Sequence, residues 1–154
     1  MTTRKMVLAE DDRDLALALA WRCRALGFEV RTAGDALTAL NMIARDPPDL
    51  LCLDFNMPGG SGLAACEMVA TNAELRGMPT IILTGSSDEA MIRRCHELCV
   101  YYVLKCPDVW QRLEPLILEL FGAPNPGDLV VTGATSPPDL ANPHDPYSPE
   151  VDDD

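Results

Sequence analysis

From residue 5 to residue 121 the chain alternates short, nearly continuous apolar runs with stretches whose apolar positions recur every three or four residues. The runs at 5–9, 50–54, 79–84 and 100–104 predict strands covered on both faces, since neither face offers a polar row to water. The run at 28–32 alternates apolar and polar residues and predicts an edge strand. Between the runs, Leu15, Leu19, Cys23 and Leu26 mark a helix that starts near Asp12 or Asp14 and is closed by Gly27. Leu37, Leu40 and Ala44 mark a second helix, stopped by Pro47-Pro48. Val109, Leu113, Leu116 and Leu120 mark a last one, stopped at Gly122. Weaker stripes at about 61–72 and 88–98 predict two more. Five strand-then-helix units in succession predict an α/β fold built on a parallel sheet with crossover helices.

Composition changes after Gly122. Residues 123–154 hold seven of the 13 prolines and seven acids, without Lys or Arg. Such a segment has too little apolar surface to offset the entropy of ordering it, which predicts one domain over 1–122 followed by a largely disordered acidic tail over 123–154. Leu129-Val130-Val131 is the one apolar patch in that tail. The formal net charge of -12 argues against direct binding to nucleic acid or to an anionic membrane surface. The apolar run behind the N-terminal Arg4-Lys5 is cut off by Glu10-Asp11-Asp12, unlike a signal peptide, and a cytoplasmic protein is expected. The six cysteines form no CxxC pair and several lie in apolar runs, which predicts reduced structural thiols.

In an open parallel sheet, ligands bind beyond the carboxyl ends of the strands. Those ends carry Glu10-Asp11-Asp12, Asp54, Thr84 and Lys105, so the fold would bring carboxylates, a hydroxyl and an ammonium to one rim. Clustered carboxylates call for a hard divalent cation such as Mg2+, and one of them beside such a cation could act as a nucleophile toward phosphorus. After Asp54, the segment Phe55-Asn56-Met57-Pro58-Gly59-Gly60-Ser61-Gly62 predicts a shaped loop in which glycines allow close backbone approach.

Four segments together, Val7 to Asp12, Asp54 to Gly59, Leu83-Thr84-Gly85 and Tyr102 to Lys105, resemble the receiver domain of bacterial two-component response regulators over about residues 4–121. The resemblance implies a flavodoxin-like doubly wound sheet in the order 2-1-3-4-5, counting the five sheet strands along the chain. It implies Asp54 as phosphoacceptor, taking phosphoryl from a sensor histidine kinase or a histidine phosphotransfer protein. Glu10 and Asp11 would be the acidic pair, with Asp11, Asp54 and the Asn56 carbonyl holding Mg2+, or Mn2+ in its place. Lys105 would contact the phosphoryl group, and Thr84 with Tyr102 would form the switch pair. Gly85 would leave the site open, while Asn56 and Ser86 stand where the family tunes phosphoryl lifetime.

The resemblance further implies a stand-alone signalling phosphoacceptor that promotes its own phosphorylation and dephosphorylation without being an ordinary enzyme. Its downstream protein target would be met through the face of the fourth helix, fifth sheet strand and fifth helix. Cys106 separates Lys105 from Pro107, where the family has Lys-Pro with a cis bond, so any cis bond is expected at Cys106-Pro107. Ser61 replaces a frequent Asp and can still cap the third helix. The displaced proline leaves an alternative open, a receiver-like adaptor that works without phosphorylation. A haloacid-dehalogenase-like phosphotransferase would need an Asp where Asn56 stands.

Overall fold

The computed structural model describes residues 3–123 apart from 76 and 87. Its main sheet is parallel, in the order β2 (Phe28–Ala33), β1 (Arg4–Ala9), β3 (Leu50–Asp54), β6 (Thr80–Thr84), β7 (Tyr101–Leu104). This is the predicted order, because β4 (Asn56–Met57) and β5 (Gly60–Ser61) form a separate small antiparallel hairpin. Five helices cross over: α1 (Arg13–Ala25), α2 (Ala36–Arg45), α3 (Gly62–Ala70), α4 (Glu89–Leu98) and α5 (Val109–Phe121).

The period of two along each strand sorts the core into two layers. Met6 and Leu8 of β1, Leu50 and Cys52 of β3, and Ile81 and Leu83 of β6 pack with Leu15, Leu19, Leu113 and Ile117 of α1 and α5. The alternate residues Val7, Leu51, Leu53 and Ile82 pack with Ala39, Ile43, Cys66, Val69, Met91 and Cys95 of α2, α3 and α4. Central strands β3 and β6 are buried at every position, whereas β2 alternates as an edge strand should. Asp12, Asp35, Ser61 and Asp88 each accept a backbone N–H at the start of α1, α2, α3 and α4. These caps fix where each helix leaves its strand.

The structure corrects the second helix. Its buried face is Ala36, Ala39 and Ile43, one position out of phase with the expected Leu37, Leu40 and Ala44, and Leu37 is 65% exposed. Two alanines let α2 lie close on the sheet, so the larger residues mark the flank of the helix rather than its floor. Pro115 lies inside α5 on the exposed side, without the N–H that would have bonded the Gln111 carbonyl. Among the described residues no helix is long and apolar enough to cross a membrane. The expected tail, with Leu129-Val130-Val131, lies outside the described residues except for Ala123.

Candidate functional site

The carboxyl ends of β1, β3 and β7 meet as the sequence pattern requires. Glu10 continues the ladder beyond β1, its N–H donating to the Ala33 carbonyl at 2.9 Å, and its side chain turns inward with the residue only 2% exposed. Asp11 faces solvent, and Asp12 is used up as the α1 cap, accepting from the Asp14 and Leu15 N–H groups. Three consecutive acids thus take three different jobs. Asp54 ends β3 and is 3% exposed, and the Asn56 N–H donates to its Oδ1 at 3.2 Å. The hairpin of β4 and β5 then turns back through Gly59 and Gly60, both at positive φ, and delivers Gly62 onto the Asp54 carbonyl. A Cβ at Gly62 would collide with that oxygen, so only glycine lets α3 start there.

Lys105 follows β7, held by its own N–H on the Thr84 carbonyl at 2.7 Å. Its Nζ donates to Glu10 Oε1 at 2.9 Å, Glu10 Oε2 at 3.2 Å and Asp54 Oδ2 at 3.1 Å. One ammonium therefore bridges two buried carboxylates from positions 95 and 51 residues away in sequence. Burial pushes the Glu10 carboxyl up to about 7, with the Lys105 bond pulling the other way and the Asp54 charge adding to the rise. Burial also raises Asp54, opposed by the Lys105 charge. For Lys105 burial acts downward, but its bonds and charge contacts with Glu10 and Asp54 outweigh it and hold the ammonium above its usual range.

Glu10, Asp11 and Asp54 each offer an oxygen within 4.8 Å of the other two. Three carboxylates against one ammonium leave a surplus negative charge in an all-oxygen donor set with one solvent-facing member. That chemistry fits Mg2+ or Mn2+, hard cations that keep waters on the open side.

A family model described as the response regulator receiver domain matches residues 6–113. The chain belongs to this family. The receiver is 30% identical over 120 residues to a probable chemotaxis protein CheY of Rhizobium etli, covering 77% of this chain and 93% of that one. Among solved structures, the non-phosphorylated HemR receiver domain of Leptospira biflexa matches with a TM-score of 0.70 at 23% identity, covering 80% of this chain and 98% of the other. The Mn2+-bound form of response regulator Rcp1 matches with a TM-score of 0.67 at 22% identity, covering 88% and 99%. At those identities the two structures bear on the fold, which they share.

The remaining residues of the receiver pattern do not all join the carboxylates. Thr84 is buried, and its hydroxyl is engaged with Ser86: it donates to the Ser86 carbonyl at 2.9 Å and accepts from the Ser86 N–H at 3.2 Å. Gly85 is exposed, and a Cβ there would meet nothing within 4 Å. Tyr102 is half-buried and lines a shallow depression of about 510 Å3 with His96, Tyr101 and Leu116. The Cys106-Pro107 bond is trans, as are all peptide bonds among the described residues.

Sequence reasoning did not foresee how the extra Cys106 is absorbed. Its thiol donates to Asp108 Oδ1 at 2.7 Å, and the Val109 N–H bonds the Cys106 carbonyl at 2.9 Å, closing a turn that starts α5 while Lys105 still reaches both carboxylates. The Asp108 carboxylate holds the thiol above its ordinary range, which keeps it protonated. The signal available in the sequence was Cys-Pro-Asp directly ahead of an apolar helical stripe. Arg94, on a solvent-facing side of α4, ties α4 to α3 through Glu67 at 3.0 Å and also holds Glu97 at 2.8 Å.

Proposed function

We propose that residues 1–122 form a receiver domain that accepts a phosphoryl group on Asp54 from a sensor histidine kinase or histidine phosphotransfer protein, and that residues 123–154 are a tail appended to it. The observation that carries this reading is the Lys105 ammonium held between Asp54 and Glu10 at 2.9–3.2 Å, with Asp11 alongside. In the transfer the P–N bond of the donor phosphohistidine breaks as a P–O bond forms to an Asp54 carboxylate oxygen. The electron pair returns to the imidazole, which takes up a proton. Lys105 is placed to bond both the carboxylate and the phosphoryl oxygens that arrive on it, so charge that develops there meets a donor already in position. Asp11, Asp54 and the Asn56 carbonyl, with Glu10 behind them, would hold Mg2+ or Mn2+, which when bound neutralises phosphoryl oxygens and orients them for in-line attack.

The open approach at Gly85 admits a phosphodonor. Rotation of Thr84 away from Ser86 and of Tyr102 inward would relay the event to the face made by α4, β7 and α5, where a protein target docks. The setting is the cytoplasm, and with a net charge of -12 the target is a protein and not nucleic acid or membrane. The protein acts as a signalling phosphoacceptor.

Incubation with acetyl phosphate and Mg2+, followed promptly by intact mass, tests the reading. The expected result is a gain of one phosphoryl group that disappears in Asp54→Asn and in the presence of EDTA. No gain in the wild-type chain, with beryllofluoride and Mg2+ also leaving the NMR spectrum unchanged, would overturn it in favour of the phosphorylation-independent adaptor.

A further inference from the structure

We propose that the outer edge of β7 takes up an extended, uncharged segment of the protein target as an added strand, paired through backbone groups of Tyr102 and Leu104. This rests on the reading in which a target docks on the face of α4, β7 and α5, and it specifies the form of what docks. β7 ends the sheet, with β6 as its one neighbour. A strand in a parallel ladder turns the N–H and C=O of every second residue to the same side. The Lys105 N–H bonds the Thr84 carbonyl, so Tyr101, Val103 and Lys105 face β6, and the backbone groups of Tyr102 and Leu104 face outward. The Leu104 carbonyl is engaged by the Cys106 N–H at 3.1 Å. The Tyr102 N–H, the Tyr102 carbonyl and the Leu104 N–H have no hydrogen-bond partner among the described residues. The other edge differs. On β2 the Ala33 carbonyl bonds the Glu10 N–H, which turns Val30 outward, and the Arg24 guanidinium donates to the Val30 carbonyl at 3.0 Å and lies across that edge. A charged side chain over the edge blunts it against further pairing, and Tyr102 has no such cover among the described residues.

Shape favours a strand as the occupant. The depression of about 510 Å3 runs across this edge, with His96 from α4, Leu116 from α5, and the consecutive Tyr101 and Tyr102 of β7 in its wall. Tyr102 packs with the layer of α4, and Val103 with that of α5, so the side chains of Tyr101 and Tyr102 leave the sheet on opposite faces. A groove that straddles a sheet edge suits a segment whose successive side chains also point to opposite sides, whereas a helix offers one stripe. Cys99 and Val100 complete the described wall, which holds no Asp, Glu, Lys or Arg, so a charge carried in by the segment would lose water without gaining a partner. Tyr101 is 43% exposed and gives an aromatic surface for the segment to cover. In the reading on which this rests Tyr102 turns inward on phosphorylation, so the residue that anchors the added strand is the one that moves.

A displayed library of random dodecapeptides is selected on the full chain with Mg2+ and beryllofluoride, and the selected peptides are then added to the isotope-labelled full chain for amide hydrogen exchange by NMR. The expected result is exchange at the Tyr102 and Leu104 amides slowed about tenfold or more, with Tyr101 and Val103 unchanged. N-methylation of the peptide, one residue at a time, is expected to weaken binding about tenfold or more at alternate positions and under about twofold at those between, since only every second N–H of a strand faces β7. Peptides that bind and leave Tyr102 exchange unchanged, or that lose affinity at every N-methylated position as a helix would, overturn the proposal, as does a selection that enriches no peptide. The underlying reading fails by a different sign, an NMR spectrum unmoved by beryllofluoride and Mg2+ before any peptide is added. Protection of Tyr102 and Leu104 that is equal with and without beryllofluoride supports the added strand and removes its dependence on phosphorylation.

Discussion

Replacing Lys105 by methionine removes the one cation between two carboxylates that are 2% and 3% exposed, while keeping the side chain's length and apolar stem. Each contact of about 3 Å is worth about 5 kcal/mol of attraction at an effective dielectric of about 20. Burying the three ionised groups cancels much of that, and deleting one partner of such a buried arrangement typically costs 3–5 kcal/mol because the others stay behind uncompensated. Solvent at Asp11 and proton uptake by Glu10 soften the loss, so the expected cost at pH 8 is about 3 kcal/mol, or on the order of 10 °C in Tm for a domain of this size. The pH dependence is the sharper readout. Glu10 in the folded wild type is raised from 4.5 to about 7, so the folded state binds more protons than the unfolded one across that window, and this group's contribution to stability falls as pH rises through it. Without Lys105 the window extends upward. Urea unfolding in EDTA at pH 5, 6, 7 and 8 should show wild type and Lys105→Met closest at pH 5 and furthest apart at pH 8, with added Mg2+ narrowing the gap. A difference under about 0.5 kcal/mol at pH 8, or one that widens toward pH 5, would refute the electrostatic account of the site.

Glu10→Gln removes one titrating group, and the fall of the urea midpoint between pH 5 and 8, equivalent in wild type to up to roughly 3 kcal/mol, should shrink to what Asp54, also raised by burial, contributes. Gly62→Ala forces a methyl against the Asp54 carbonyl, and should cost about 1–3 kcal/mol in urea unfolding while slowing acetyl phosphate labelling. A stable variant that labels at the wild-type rate would show that α3 is free to shift. On α2, Leu37→Glu should change the unfolding free energy by less than about 0.5 kcal/mol, whereas Ile43→Ala should cost about 2–5 kcal/mol, and the reverse order would restore the stripe expected from sequence.

Where sequence and structure agree, the cause is burial on both faces. The strands at 50–54 and 80–84 have water on neither side, so their interiors are apolar, and the polar residue that ends each, Asp54 or Thr84, is a candidate site residue. Asp54 and Thr84 were legible as candidates for that reason, and Lys105 because it ends the apolar run of β7, an edge strand that is exposed at Tyr101. Residues whose role depends on what the neighbouring element leaves room for were not visible. The out-of-phase stripe of α2 is one case, since helix patterns weigh large residues while the sheet here demands small ones at Ala36 and Ala39. The division of labour among Glu10, Asp11 and Asp12 is another. Three adjacent acids look equivalent in sequence, and only the angle at which α1 leaves β1 sends one inward, one outward and one to the cap. The Cys106–Asp108 contact belongs to the same class, because its two partners meet only once the turn into α5 has closed.

The pair of hydrogen bonds between Thr84 and the Ser86 backbone sets a resting bias on the hydroxyl. A rotation about the Thr84 Cα–Cβ bond must give up both at once. At about 0.5–1.5 kcal/mol apiece, they favour the present rotamer by about 1–3 kcal/mol, a ratio between about five and about a hundred and fifty to one. If those two bonds were the whole difference, the turned rotamer would be populated at a level from under one per cent to well over ten per cent by the same arithmetic. Anything bound at the strand ends has only to capture that minority, and the depth of the bias, written in two backbone atoms of a single serine, fixes how tightly it must bind to do so.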